Sequence, residues 1–120
     1  MIISFSVETT PFPQPRPRVV RHHAFEPKRI TDYKNSIRTI AKIHMQGRPP
    51  ITSLVQVSIA FRKNRKLGSR SFGDIDNLVK AVLDALNGIC FSDDALVVRL
   101  FTEKDSDSNE GVDIIVTDEF

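Results

Sequence analysis

Apolar and polar residues alternate through positions 2–9, where Ile3, Phe5 and Val7 share one side. A period of two predicts a strand. The next segment, Thr10-Pro11-Phe12-Pro13-Gln14-Pro15-Arg16-Pro17-Arg18, is too rich in proline for a helix interior or a central strand. It is expected to run extended, with its arginines held outward. The period changes over residues 31–46: Tyr33, Ile37, Ile40, Ala41 and His44 follow helical spacing, while Lys34, Arg38 and Lys42 line another side. Thr31 can cap this helix, and Gly47 with Pro49-Pro50 ends it. Alternation returns over 53–62, with Val55, Val57, Ile59 and Phe61 inward. Lys63 to Gly73 reads as a basic polar loop that orders on a ligand. Asp76 to Asn87 is a second amphipathic helix, closed by Gly88. Strands follow at 95–102 and 112–116, with a polar loop from Lys104 to Gly111 between them. The order strand-helix-strand-helix-strand-strand predicts one small α+β domain spanning 1–120. Its mixed sheet should have about four strands, with two helices packed on it.

Composition adds little until it is split along the chain. A length of 120 residues suits one core. No run of apolar residues is long enough to span a bilayer, and the start lacks a secretory pattern. Cys90 is the single cysteine, so no internal disulfide and no Cys-rich zinc site can form. These features point to a soluble cytoplasmic protein. Net charge is only +2, yet residues 1–72 carry 14 Lys/Arg against 3 Asp/Glu, and residues 73–120 carry 3 against 12. Such asymmetry fits either a polyanion-binding surface beside an acidic function or two solvated faces that balance.

The acidic half holds the candidate chemistry. Asp74 and Asp76 stand two apart where a loop enters the second helix, and extended backbone points side chains at i and i+2 the same way. Two carboxylates held together repel each other, and a hard divalent cation relieves that repulsion. On the helix, Leu78, Val79, Val82, Leu83 and Leu86 cover one arc, whereas Asp76, Lys80 and Asp84 cover another at i, i+4 and i+8. Lys80 then sits one turn from the acidic pair. Each acid also has a plainer explanation. Asp74 or Asp76 can cap the helix, Lys80 and Asp84 can form a surface pair, and Asp93-Asp94 can be turn residues. Asp94 reaches the helix start only if its loop folds back or the next strand runs beside the Asp74 segment.

Over these residues the chain resembles the RusA family of Holliday-junction resolvases. The likeness rests on Asp74-Ile75-Asp76-Asn77-Leu78-Val79-Lys80, the internal Asp84-Ala85-Leu86, and Asp93-Asp94 beyond it, with Pro15-Arg16-Pro17-Arg18 and the Tyr33 helix as weaker matches. The resemblance implies a homodimeric, magnesium-dependent crossover junction endodeoxyribonuclease, with manganese as a substitute, that makes paired nicks in four-way DNA during recombination and repair. It implies Asp74, Asp76 and Asp94 as metal carboxylates, Lys80 as the catalytic lysine, and Asp84 as an acid supporting the site or the fold. Arg16, Arg18, Arg65, Lys66 and Arg70 are the candidate DNA contacts, since polycationic segments bind backbone phosphates. A nuclease for flaps or forks, a junction-binding module without catalysis, and a protein-interaction domain are the alternatives.

The remaining features point to no further chemistry. His22-His23 has no partner at metal spacing and is read as making polar contacts. Cys90 is read as a small buried apolar residue. The glycines are scattered, so no nucleotide-binding loop and no nucleotide cofactor are expected. The exposed sides of the first strand and the first helix are the candidate dimer surfaces.

Overall fold

The structure is a computed structural model that describes residues 1–15, 18–20 and 23–120. Its elements are β1 (Ile2–Val7), β2 (Arg18–Val20), β3 (His23–Phe25), α1 (Lys28–Met45), β4 (Val55–Lys63), α2 (Ile75–Leu86), a 3-10 turn at Asp94–Leu96, β5 (Val97–Ser106) and β6 (Gly111–Thr117). The main sheet has the order β1-β6-β4-β5. β6 is antiparallel to both β1 and β4, whereas β5 runs parallel to β4. The α+β architecture and its mixed four-stranded sheet are as the periodicity predicts.

The register explains why the alternation is so regular. Phe5, Ile114 and Ile59 lie in one row across three strands, as do Ile3, Val116 and Val57, and Val7, Val112 and Phe61. All are buried on the face that the helices cover. α1 packs on β1 and on α2, and α2 also meets β5. Leu78, Val82, Ala85 and Leu86 bury the inner side of α2. Truncating Phe61 to alanine in such a core costs about 3–5 kcal/mol.

Three local details depart from the periodicity. β2 and β3 pair as a short antiparallel hairpin after the proline segment, where extended chain alone is expected. α1 begins a turn early, with Pro27 rather than Thr31 before its first residue, because proline's fixed φ suits a helix start. β5 continues to Ser106, past the predicted loop start at Lys104, because β4 pairs with it along its whole length.

Candidate active site

The basic loop leads directly into the acidic pair, and it is more ordered than its composition suggests. Phe72 is fully buried. Lys63, the last residue of β4, is buried and donates to the carbonyls of Ser71 (2.9 Å) and Phe72 (3.3 Å). Burial, reinforced by the charge of Arg65, holds its ammonium below the usual lysine value. From β5, Lys104 Nζ donates to the Gly73 carbonyl at 3.0 Å and lies 5.2 Å from the Phe72 ring centre. Two lysines from neighbouring strands therefore pin the three residues before Asp74. Gly73 itself has φ +106°, and a Cβ there would press on the Pro13 ring at 3.2 Å. Only glycine lets the proline strap pass this close. The strap is tied down one residue later, where the Gln14 amide donates to the Asn77 carbonyl at 2.9 Å.

Asp74 occupies the position just before α2, yet its side chain accepts no capping hydrogen bond. Among the described residues, the Asp76 carboxylate accepts only from the adjacent Asn77 amide, at 2.9 Å. The capping explanation is thus not realised for Asp74. Both acids are exposed, and so is Lys80 one turn further on. Asp93 behaves differently. Its carboxylate accepts from the Ala95 amide at 3.0 Å and caps the 3-10 turn. Of the second acid pair, Asp94 alone is left exposed without such a bond.

Asp74, Asp76 and Asp94 do not gather into one three-acid cluster within the described chain. β5 does run beside the Asp74 segment, but through its far end. Lys104, late in β5, is the residue that reaches Gly73, whereas Asp94 precedes the first residue of that strand. Val97 and Lys104 lie seven steps apart along the strand, roughly 23 Å. The twelve residues of α2 rise about 18 Å between the same two ends. Among the described residues, no three His, Cys, Asp or Glu side chains gather closely enough to hold a metal ion. Exposed carboxylate oxygens at the start of α2 are the donors a hard cation takes, so their chemistry fits magnesium.

The basic candidates divide. Arg65, Lys66 and Arg70 are exposed on the loop that precedes Asp74, close in sequence to the acids. Arg16 and His22 lie outside the described residues, as do the side chains of Arg18 and His23. Lys34, expected on the charged side of α1, is buried instead, where it faces Asp84 of α2 at 3.6 Å. Asp84 also lies 3.8 Å from Lys80. Sequence reasoning misses Lys34, Lys63 and Lys104 as parts of this region. Lys104 leaves one trace, being among only three cations in the acidic half. Burial pushes the Cys90 thiol up to about 11, so it is inert at neutral pH.

A family model described as Endodeoxyribonuclease RusA matches residues 8–117. The chain belongs to the RusA endodeoxyribonuclease family. The match takes in the proline strap, both helices and the β5 edge as well as the acidic run. Membership makes the chain a nuclease with DNA as its substrate. No curated protein matches the chain. Among the described residues, no helix is long and apolar enough to cross a membrane.

Proposed function

We propose that this chain is a magnesium-dependent endonuclease that resolves four-way DNA junctions by paired nicks, as a homodimer, in cytoplasmic DNA recombination and repair. The observation that carries the reading is the start of α2. Two exposed carboxylates that form no ion pair among the described residues stand there beside an exposed lysine, in a chain of an endodeoxyribonuclease family. Asp74 and Asp76 would hold the cation. When bound, magnesium or manganese supplies Lewis acidity and lowers the pKa of a water. Lys80, one turn along, stabilises negative charge as it grows on the phosphate. Lys63 and Lys104 keep the Asp74 turn fixed. Arg65, Lys66 and Arg70 hold the DNA backbone, so affinity falls steeply with salt.

The position of Asp94 supports a dimer. β5 is an edge strand, and its outer side has no neighbour among the described residues. Val98, Leu100 and Phe101 are exposed on it, Phe101 at 59 %. A long apolar edge of this kind invites pairing with another strand. Two identical edges that hydrogen-bond about a two-fold axis run antiparallel, and the same patch serves both subunits. The start of one β5 then lies beside the end of the other. In that arrangement the partner's Asp94 approaches Asp74 and Asp76, and each of two sites gains its third carboxylate.

The test is cleavage of a mobile four-way junction in magnesium, beside flap and fork substrates at the same salt. Symmetric paired nicks in the junction are expected. Absence of cleavage on every substrate, with wild type and Asp76→Asn indistinguishable, overturns the reading. Equal rates on flap, fork and junction overturn the junction assignment alone.

A further inference from the structure

α1 buries a lysine that the proposed chemistry does not use. Lys34 is 4 % exposed. A buried ammonium is tolerated only when opposite charge is close, and Lys34 meets two carboxylates. Its Nζ lies 3.0 Å from Glu26 Oε2 and 3.6 Å from Asp84 Oδ2. Glu26 also accepts from Gln14 and Thr31. Burial opposes its ionisation, but the hydrogen bonds from Lys34, Gln14 and Thr31 together hold its carboxyl below the usual range.

The second carboxylate is shared. Asp84 Oδ2, the oxygen facing Lys34, is also 3.8 Å from Lys80 Nζ. One oxygen thus stands between two ammonium groups of unequal freedom. Lys34 is enclosed and cannot reach water. Lys80 has a side chain 61 % exposed and can swing away. Asp84 and Lys80 are four apart on α2, the spacing at which such pairs close when nothing competes. The pair already stands at a long ion-pair distance, and tightening it to a hydrogen bond would draw the ammonium of Lys80 further from Asp76.

We propose that Lys34 is a positioning residue: its buried charge shares the Asp84 oxygen and so keeps the Lys80–Asp84 pair long, at 3.8 Å, which leaves Lys80 able to act at the Asp74–Asp76 end of α2. The inference rests on the nuclease reading for what Lys80 does there. It assigns Asp84 chiefly to neutralising the buried Lys34, with only a long pair to Lys80. Attraction between charges at such separations is strong where water is excluded, so loss of Lys34 redirects Asp84 to the lysine that remains.

The test uses the full chain and four-way junction DNA in magnesium, with melting curves to confirm folding. Lys34→Met is expected to lower kcat about tenfold with KM within about twofold. Lys34→Arg keeps most of the activity, and Lys34→Met/Asp84→Asn recovers kcat to within about threefold of wild type. A purely structural lysine predicts the reverse, because the second substitution adds damage instead of removing it. If Lys34→Met does not fold, Asp84→Asn alone decides: kcat lower by less than about threefold supports the proposal, and a loss beyond about tenfold overturns it. A readout without catalysis separates this inference from the nuclease reading. In trace acetylation with acetic anhydride, followed by peptide mass spectrometry, Lys80 should label about threefold more slowly in Lys34→Met than in wild type, relative to Lys42 and Lys66. The double variant should regain the wild-type rate. Unchanged Lys80 labelling in a folded Lys34→Met, or in Asp84→Asn labelling slower than wild type, overturns the proposal whether or not the protein cuts DNA.

Discussion

The two ends of α2 carry acids of the same kind under opposite conditions. At its start, Asp74 follows a turn pinned by Lys63 and Lys104, and the proline strap packs on Gly73. The carboxylates there are held in place by backbone and make no ion pair among the described residues. Beyond its other end, Asp93 is bound to its own 3-10 turn, and Asp94 is exposed beside an edge strand. The first end is complete in scaffold. The second offers an exposed carboxylate beside the edge of the sheet. On the proposed reading, that difference teaches that acids of one motif are divided in space, and that a two-fold pairing of β5 would reunite them.

The sharpest way to break the comparison is at the complete end. Asp76→Asn is expected to reduce junction cleavage by about a thousandfold or more, with DNA binding and melting temperature nearly unchanged, in a gel assay beside a thermal melt. The divided site makes a second demand. Asp76→Asn and Asp94→Asn should each be inactive alone. Mixed and allowed to exchange subunits, they should regain one working site per heterodimer. Nicking should then return to about a quarter of the wild-type rate, as single nicks without the paired cut. Mixtures that stay inactive would place all three acids in one chain and end the two-copy reading. Phe101→Lys attacks the edge itself. It should shift the chain to a monomer by sedimentation and lower cleavage at least about tenfold, while the core, which this exposed side chain does not enter, keeps its melting temperature.

How much of the molecule is legible in its sequence depends on range. The rows Phe5–Ile114–Ile59 and Ile3–Val116–Val57 announce themselves, because a buried sheet face imposes period two on each strand separately. The polar arc of α2 is equally plain, since helical spacing is local. Lys34 misleads through the same physics. Its spacing from Arg38 and Lys42 matches a solvated stripe, and only the packing of α1 on α2 reveals the carboxylate that receives it. Lys104 is hidden because a strand residue's partner across the sheet lies more than thirty positions away. For Asp94, sequence spacing defines the possible return routes but has no term for which end of β5 meets the helix start.

Lys104→Met tests the scaffold at a smaller scale. It leaves the Gly73 carbonyl without its donor and frees the turn before Asp74. A loss of about 1–2 kcal/mol in stability is expected from denaturant melts. A fall in kcat of about tenfold should accompany it, as loosened carboxylates lose their preset geometry. Lost stability with full kcat would show that the turn is held without it.

The smallest effect concerns a carboxylate whose duty is wholly structural. On the open face of the sheet, Asp113 of β6 accepts from Arg62 of β4 at 3.0 and 3.1 Å, and from Ser6 of β1 at 2.7 Å. The hydrogen bonds from Arg62 outweigh partial burial and hold the Asp113 carboxyl below the usual value. Its folded pKa is therefore depressed relative to the unfolded chain. The stability it gives is present above the unfolded value of 3.8 and is lost as pH falls through the folded one. The side chain is 40 % exposed, so solvent screening limits the contribution to under about 1 kcal/mol. Asp113→Asn should lower the melting temperature by a few degrees at neutral pH and by progressively less below about pH 4. A deficit that stays constant down to about pH 2 would mean that Asp113 acts through shape rather than charge. Asp74 is the opposite case, exposed before α2 and in no ion pair among the described residues, so its removal should cost activity without costing stability.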